Sequence, residues 1–233
     1  MTILNIETSG KICSVALCKD GAIEFQREDT EGMQHANRLP IFVDECMEEV
    51  HRREMPLDAV AVSLGPGSYT GLRIGLSLAK GLAFSLGIPL IGVDTLKIIA
   101  VKAMFRSFDW QGDEILVPMV DARRMEVYTA AYDFALNAVV KPQAMIITPD
   151  SFAGLEGRKV FFMGDGAAKT KDMIKLPGAQ WIDGLLPMAK DMMALSEKAF
   201  REEDFLDLAY SVPNYLKEYQ TTVARNPLEK KLH

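Results

Sequence analysis

"ILNIETSGKICSVALCKDGAIEFQRED", residues 3–29, decides the fold. Its apolar residues fall into three runs, 3–9, 12–18 and 22–29, rich in Ile, Val and Leu. The links between them, "SGK" and "KDG", carry turn chemistry, and links that short join only antiparallel neighbours. The stretch therefore predicts a three-stranded meander. A helix is expected over 36–54, where Leu39, Phe42, Val43, Cys46, Met47 and Val50 recur on one face. Buried strands follow at 58–65 ("DAVAVSLG") and 88–94 ("IPLIGVD"), with helices at 71–86 and 95–105.

After the polar link "SFDWQGDE" the same order returns. Strands are expected at 115–122, 126–134 and 138–147, then a short helix capped by Thr148 or Asp150, a strand at 159–165 and a helix from 166. A βββαβα unit written twice predicts an α/β chain with an N-terminal lobe (1–108), a smaller second lobe (109–210) and a C-terminal arm (211–233). One more helix, 188–203, opened by Pro187, fits either lobe. This duplicated unit resembles the actin-like ATPase (ASKHA) superfamily, in which each half holds a mixed five-stranded sheet and nucleotide lies between the halves. A likeness of fold does not establish an activity.

The chain has 233 residues, enough for two lobes with real cores, and a net charge of −6. It is no electrostatic magnet for nucleic acid, so RNA would need a local basic patch or another subunit. The N-terminus lacks the basic and apolar regions of a signal peptide, and the longest uncharged run, 81–93, is too short to span a membrane. Cys13, Cys18 and Cys46 are odd in number and form no C-x-x-C pair, which predicts reduced, core-filling thiols in a cytoplasmic protein.

The densest run of glycine is "SLGPGSYTGLRIGLSLAKGLAFSLG", 63–87. It opens a helix, as phosphate loops do, yet both phosphate templates fail. Thr70 stands where the second Walker glycine and the third dinucleotide-loop glycine would fall. Inside the helix, Gly71, Gly75, Ala79 and Ala83 recur every four residues, with Ser77, Gly81 and Ser85 as a second line. Residues four apart share a face, so the helix offers strips with almost no side chain. Glycine inside a helix costs about 1 kcal/mol against alanine, so close approach of another element is expected in return. That element is either the chain's own sheet or a partner, and Leu72, Leu76, Leu78, Leu82 and Phe84 make the helix apolar nearly all round.

Catalytic signatures are sparse. The histidines, His35, His51 and His233, have no metal-pair spacing, and Ser68 lacks the G-x-S-x-G frame of a hydrolase elbow. In "IETSG", Glu7 could orient water or Mg²⁺ while Thr8 and Ser9 hold phosphate oxygens; a plain polar turn is the alternative. "GDGAAK", with Gly164 and Gly166, is either the matching loop of the second half or another turn. In "VDARRMEVYTAAY", Arg123 and Arg124 could meet phosphate or acidic side chains, or Asp121 could pair with an arginine to shape the hairpin.

"NIETSG", "SLGPGSYTGLRIGLSLAKGLA", "VDARRMEVYTAAY" and "PNYLKEYQ" together resemble the bacterial TsaB family, formerly YeaZ, from residue 3 to 220. The resemblance implies a non-catalytic paralogue of the transferase TsaD, an actin-like protein itself. With TsaD and the ATPase TsaE, TsaB proteins support formation of N6-threonylcarbamoyladenosine at position 37 of tRNAs reading codons that start with A. A legacy glycoprotease label is carried over from TsaD. TsaD has a metal-binding H-x-x-x-H pair after its "GIPLIGVDTL" equivalent, where this chain reads "KIIAVKAM" without histidine. The resemblance also implies a TsaD interface, shared with a homodimer when TsaD is absent. It would be formed by Gly71, Leu72, Arg73, Gly75, Leu76, Leu78, Ala79, Leu82 and Ala83, with Leu39, Phe42, Val43 and Cys46 of the first helix. Gly75→Leu or Ala79→Arg would then break docking and spare the fold. No cofactor or metal is expected for the chain alone, tRNA is expected only through the complex, and no membrane partner is expected. ATP or ADP at the complex or at a vestigial cleft (Glu7, Thr8, Ser9, Gly164, Gly166), with weak ATPase activity, is the alternative.

Overall fold

The computed structural model describes residues 1–32, 34–106 and 109–217; His233 and the arm beyond 217 lie outside the described residues. The meander forms as β1 (Thr2–Glu7), β2 (Cys13–Lys19) and β3 (Ala22–Asp29), antiparallel throughout. β4 (Ala59–Gly65) and β5 (Leu90–Asp94) run parallel to β1, giving the order β3-β2-β1-β4-β5. The second sheet repeats this topology. β6 (Ile115–Asp121), β7 (Glu126–Tyr132), β8 (Ala138–Ile146), β9 (Val160–Met163) and β10 (Gln180–Ile182) are ordered β10-β9-β6-β7-β8. Two mixed five-stranded sheets of one connectivity make an actin-like fold. β10 escaped the sequence reading because three residues carry no usable period.

Among the described residues four α-helices complete it: α1 (His35–Arg52), α2 (Tyr69–Leu86), α3 (Thr95–Met104) and α4 (Met193–Arg201). Ser68 caps α2 by accepting from the Gly71 amide at 3.2 Å, and Gly87 closes it with left-handed backbone. The two helices expected inside the second lobe are single 3-10 turns instead, Ala153–Leu155 and Ala168–Thr170. Between Pro149 and Gly157, Gly154 leaves too few uninterrupted residues to offset helix nucleation.

α1 and α2 cover one face of the first sheet, where Leu39, Phe42 and Cys46 meet Leu4, Ile6, Val60 and Val62. The helix left open between the lobes packs on the other face of that sheet. Leu195 and Phe200 of α4, with Met192, lie against Ile3, Ala61 and Ile91. α3 is apolar on every side because both sheets use it: Ile98 faces the first, and Leu96, Ile99 and Ala103 join Leu116, Ala130 and Tyr132 of the second. The outer face of the second sheet is covered by irregular chain carrying Ile147, Phe152, Leu155 and Ile174.

Candidate functional site

The "IETSG" turn sits at the C-terminal end of β1, where open α/β sheets place their ligands. Here it is sealed. Glu7 and Thr8 are wholly buried and Ser9 nearly so. Two of its amides are already bonded: Ser9 donates to Glu7 Oε1 at 2.8 Å, and Thr8 to Ser63 Oγ at 3.3 Å. The seal is the glycine-rich stretch. A Cβ on Gly67 would stand 2.3 Å from the Ser9 carbonyl oxygen, one on Gly71 2.1 Å from that of Thr8, and one on Gly75 2.3 Å from Thr8 Oγ1. The Ser68 amide donates to the Ser9 carbonyl at 2.6 Å, stitching loop to turn. Burial pushes Glu7 up to about 7, only partly offset by its contacts with Ser9 and Ser63, and Asp191 raises it slightly further. Glu7 Oε2 and Thr8 Oγ1 have no hydrogen-bond partner among the described residues.

Gly164 and Gly166, just past β9, pack onto the backbone of the neighbouring strand β6. Gly164 has φ of +98°, and a Cβ there would meet the Met119 carbonyl oxygen at 2.3 Å; one on Gly166 would lie 3.0 Å from the Val120 carbonyl carbon. Asp165 between them accepts from the Asp121 amide at 2.9 Å. Lys11 of the sealed turn lies within electrostatic reach of Asp165, which brings the β1–β2 turn beside the loop that follows β9.

The expected interface needs correction. Gly71, Leu72, Gly75, Leu76, Ala79 and Ala83 of α2, and Leu39, Phe42, Val43 and Cys46 of α1, are buried inside the first lobe. The four-residue strip is therefore the inward one, serving the chain's own sheet and turn. Of the residues named, Arg73 is exposed and Leu78 and Leu82 are half-buried. The second line, Ser77, Gly81 and Ser85, is the one that faces outward. Gly81 stands in open space, and Phe84 beside it is 79% exposed.

A strap borders this face. The Leu206 amide donates to the Leu90 carbonyl on β5, and the Asn214 amide to the Leu64 carbonyl at 2.7 Å. Between them Lys80 Nζ reaches the carbonyls of Ala209 and Ser211. Arg73 Nε donates to Tyr215 Oη at 3.0 Å, its guanidinium lies over Tyr69, and the Tyr69 and Tyr215 rings are 4.9 Å apart. Lys217 then pairs with Glu126 of the second lobe at 2.7 Å. Tyr210 and Val212 point outward from the strap. The sequence reading missed them, since 205–217 has no apolar period; the paired aromatics Tyr210 and Tyr215 were the available signal.

The model of the family "TsaD: tRNA N6-adenosine threonylcarbamoyltransferase" matches residues 30–231. The Escherichia coli protein named tRNA threonylcarbamoyladenosine biosynthesis protein TsaB is 33% identical over 228 residues, 93% of this chain and 95% of that one. Its Bacillus subtilis namesake is 33% identical over 224 residues, 93% and 94% of the two chains. The chain belongs to the TsaB family. The crystal structure of YeaZ from Pseudomonas aeruginosa superposes with a TM-score of 0.77 at 28% identity, covering 92% of this chain and 99% of that one. So the TsaB-family fold is assembled here with its β1–β2 turn packed shut.

Other groups in this TsaB-family chain are structural. Burial pushes the thiols of Cys13, Cys18 and Cys46 up to about 12, so they fill space as unreactive thiols. His35 Nε2 meets the Gly10 carbonyl at 3.1 Å, and His51 is exposed on α1. Among the described residues, no three His, Cys, Asp or Glu are grouped so as to hold a metal ion. Among them too, no helix is long and apolar enough to cross a membrane. Asp121 pairs with Lys169, not with an arginine, and both Arg123 and Arg124 are exposed.

Proposed function

We propose that this TsaB-family chain is a non-catalytic accessory subunit in tRNA threonylcarbamoyladenosine biosynthesis. It docks a TsaD-type transferase, works with a TsaE-type ATPase in the cytoplasm, and meets tRNA within that assembly. The observation that carries the accessory reading is the sealed turn. Phosphate needs free backbone N–H groups, and those of Thr8 and Ser9 are bonded to Ser63 and Glu7 beneath three glycines. ATP could reach them only if the start of α2 left the sheet.

Docking is assigned to the outer line of α2, Arg73, Ser77, Leu78, Gly81, Leu82 and Ser85, with Phe84 supplying apolar area. The same face closes a homodimer when the transferase is absent. Its role is to favour the partner's working conformation by binding that state more tightly. Reconstituted tRNA modification with and without this chain tests the reading, with Gly81→Arg as the docking variant. Full modification without the chain, or an undiminished complex with Gly81→Arg, would overturn it. So would ATP binding by the isolated chain that Glu7→Ala abolishes.

A further inference from the structure

The two sheets share one topology, so the β6–β7 turn, residues 122–125, is the second-lobe counterpart of the sealed β1–β2 turn. Its chemistry is opposite. Arg123 and Arg124 both adopt left-handed backbone, φ +70° and +49°, which side chains with a Cβ seldom take. Hydrogen bonds fix that shape. The Arg123 amide donates to Asp121 Oδ1 at 3.0 Å, the Glu126 amide to the Arg123 carbonyl at 3.1 Å, and the Ala122 amide to the Glu126 carbonyl at 3.1 Å.

Two of the carboxylates around the turn already have an ion-pair partner. Asp121 is paired with Lys169, Glu126 with Lys217, and Asp165 lies within reach of Lys11. Neither guanidinium has a side-chain hydrogen bond or ion pair among the described residues. Two unit positive charges are left over, exposed and adjacent, on a chain of net charge −6. Guanidinium forks match phosphate oxygens, and contacts to phosphate position a nucleic acid without reading its sequence. A mononucleotide held between the lobes would also need the amides of Thr8 and Ser9, which are bonded to Ser63 and Glu7. A phosphodiester chain passing outside the lobes needs only the exposed pair. The turn also adjoins the docking face: Tyr215 of the strap lies on Arg73 at the start of α2, and Lys217 two residues on holds Glu126.

We propose that the β6–β7 turn is an RNA-backbone contact, in which Arg123 and Arg124 bind consecutive phosphates of a tRNA held by the assembled complex. This rests on the accessory-subunit reading above. The test uses the full chain with its transferase partner and unmodified tRNA that reads a codon starting with A, binding being followed by fluorescence anisotropy over a salt series. The Arg123→Asn, Arg124→Asn double variant removes both charges and keeps residues that accept left-handed backbone. Its affinity is expected to fall roughly tenfold at low salt, and the slope of log K against log salt to shrink by about 1.5 to 2, close to one per phosphate lost. The double Lys variant is expected to keep the slope.

An unchanged slope in the Asn variant would overturn the proposal, as would ATP binding that depends on the two arginines. Coelution of wild-type chain and transferase is measured separately. If they do not coelute, the accessory reading fails by itself. The same arginine dependence must then appear with tRNA and the isolated chain, and its absence there overturns the RNA contact.

Discussion

Gly71→Ala and Gly81→Ala are the same substitution, ten residues apart on one helix, and they should move stability in opposite directions. At Gly81 a Cβ meets nothing within 4 Å, so only the backbone preference changes. Replacing an exposed interior glycine by alanine is worth about 1 kcal/mol. For a chain of this size that raises Tm by roughly 2–4 °C. At Gly71 the new Cβ would lie 2.1 Å from the Thr8 carbonyl oxygen, a backbone atom in a wholly buried turn. The oxygen cannot swing aside as a side chain would. Its peptide also carries the Ser9 amide bonded to Glu7, and the next carbonyl accepts from Ser68. Overpacking of this kind costs about 1–3 kcal/mol, and a backbone clash belongs at the upper end. Set against the helix gain, the net loss is about 2 kcal/mol, or a Tm lower by roughly 4–8 °C. Thermal unfolding of both variants followed by circular dichroism decides it. Gly71→Ala melting at or above wild type would refute the sealed-turn argument.

Gly81→Arg should melt close to wild type, since its side chain enters solvent, yet lose copurification with the transferase. By contrast Gly75→Leu and Ala79→Arg should lower Tm sharply, because those positions face the core; a folded but undocked Ala79→Arg would restore the inward strip as the interface. Glu7, pushed up to about 7 from 4.5, stays protonated in the fold where the unfolded chain has already ionised. Wild-type stability should therefore fall as pH rises from about 4.5 to about 7 and then level off. Glu7→Gln should escape that loss, gaining on wild type by about 3 kcal/mol between the two ends; a gap independent of pH in denaturant titrations contradicts the assignment. Tyr215→Ala removes the ring beside Tyr69 and the acceptor of Arg73, and should speed proteolysis within 205–217 while the rest of the chain stays resistant. Unchanged cleavage there would mean the strap is held elsewhere.

The meander and its repetition were legible because turn chemistry and strand length speak locally: "SGK" and "KDG" leave no other pairing for residues 3–29. The second-lobe helices were misread for the opposite reason. "PDSFAGLEG" has helix-compatible residues, but Gly154 and Gly157 interrupt any stretch long enough to nucleate. The closed turn was half legible. Failed spacing excluded the known phosphate loops, and the four-residue period of small residues announced a close approach. Period alone cannot say what approaches, because an inward and an outward strip on an apolar helix carry the same pattern. The strap was illegible, since its ties to Leu90, Leu64 and Glu126 join positions far apart in sequence.

The sealed turn explains why one helix carries two small-residue lines at such cost in propensity. Gly67, Gly71 and Gly75 bring the start of α2 closer to the carbonyls and hydroxyl of Thr8 and Ser9 than any side chain would allow. Beneath them burial pushes the Glu7 carboxyl up to about 7, so the turn closes without a counter-charge. That contact fixes the inner strip of α2 to the first sheet and leaves Ser77, Gly81 and Ser85 on the exposed side, Gly81 in open space. A glycine in open space on an exposed helix has no internal gain to offset its cost. Close approach by another chain would supply that gain. Under the proposed function, the contact that closes the turn and the face that docks a partner belong to two sides of one helix.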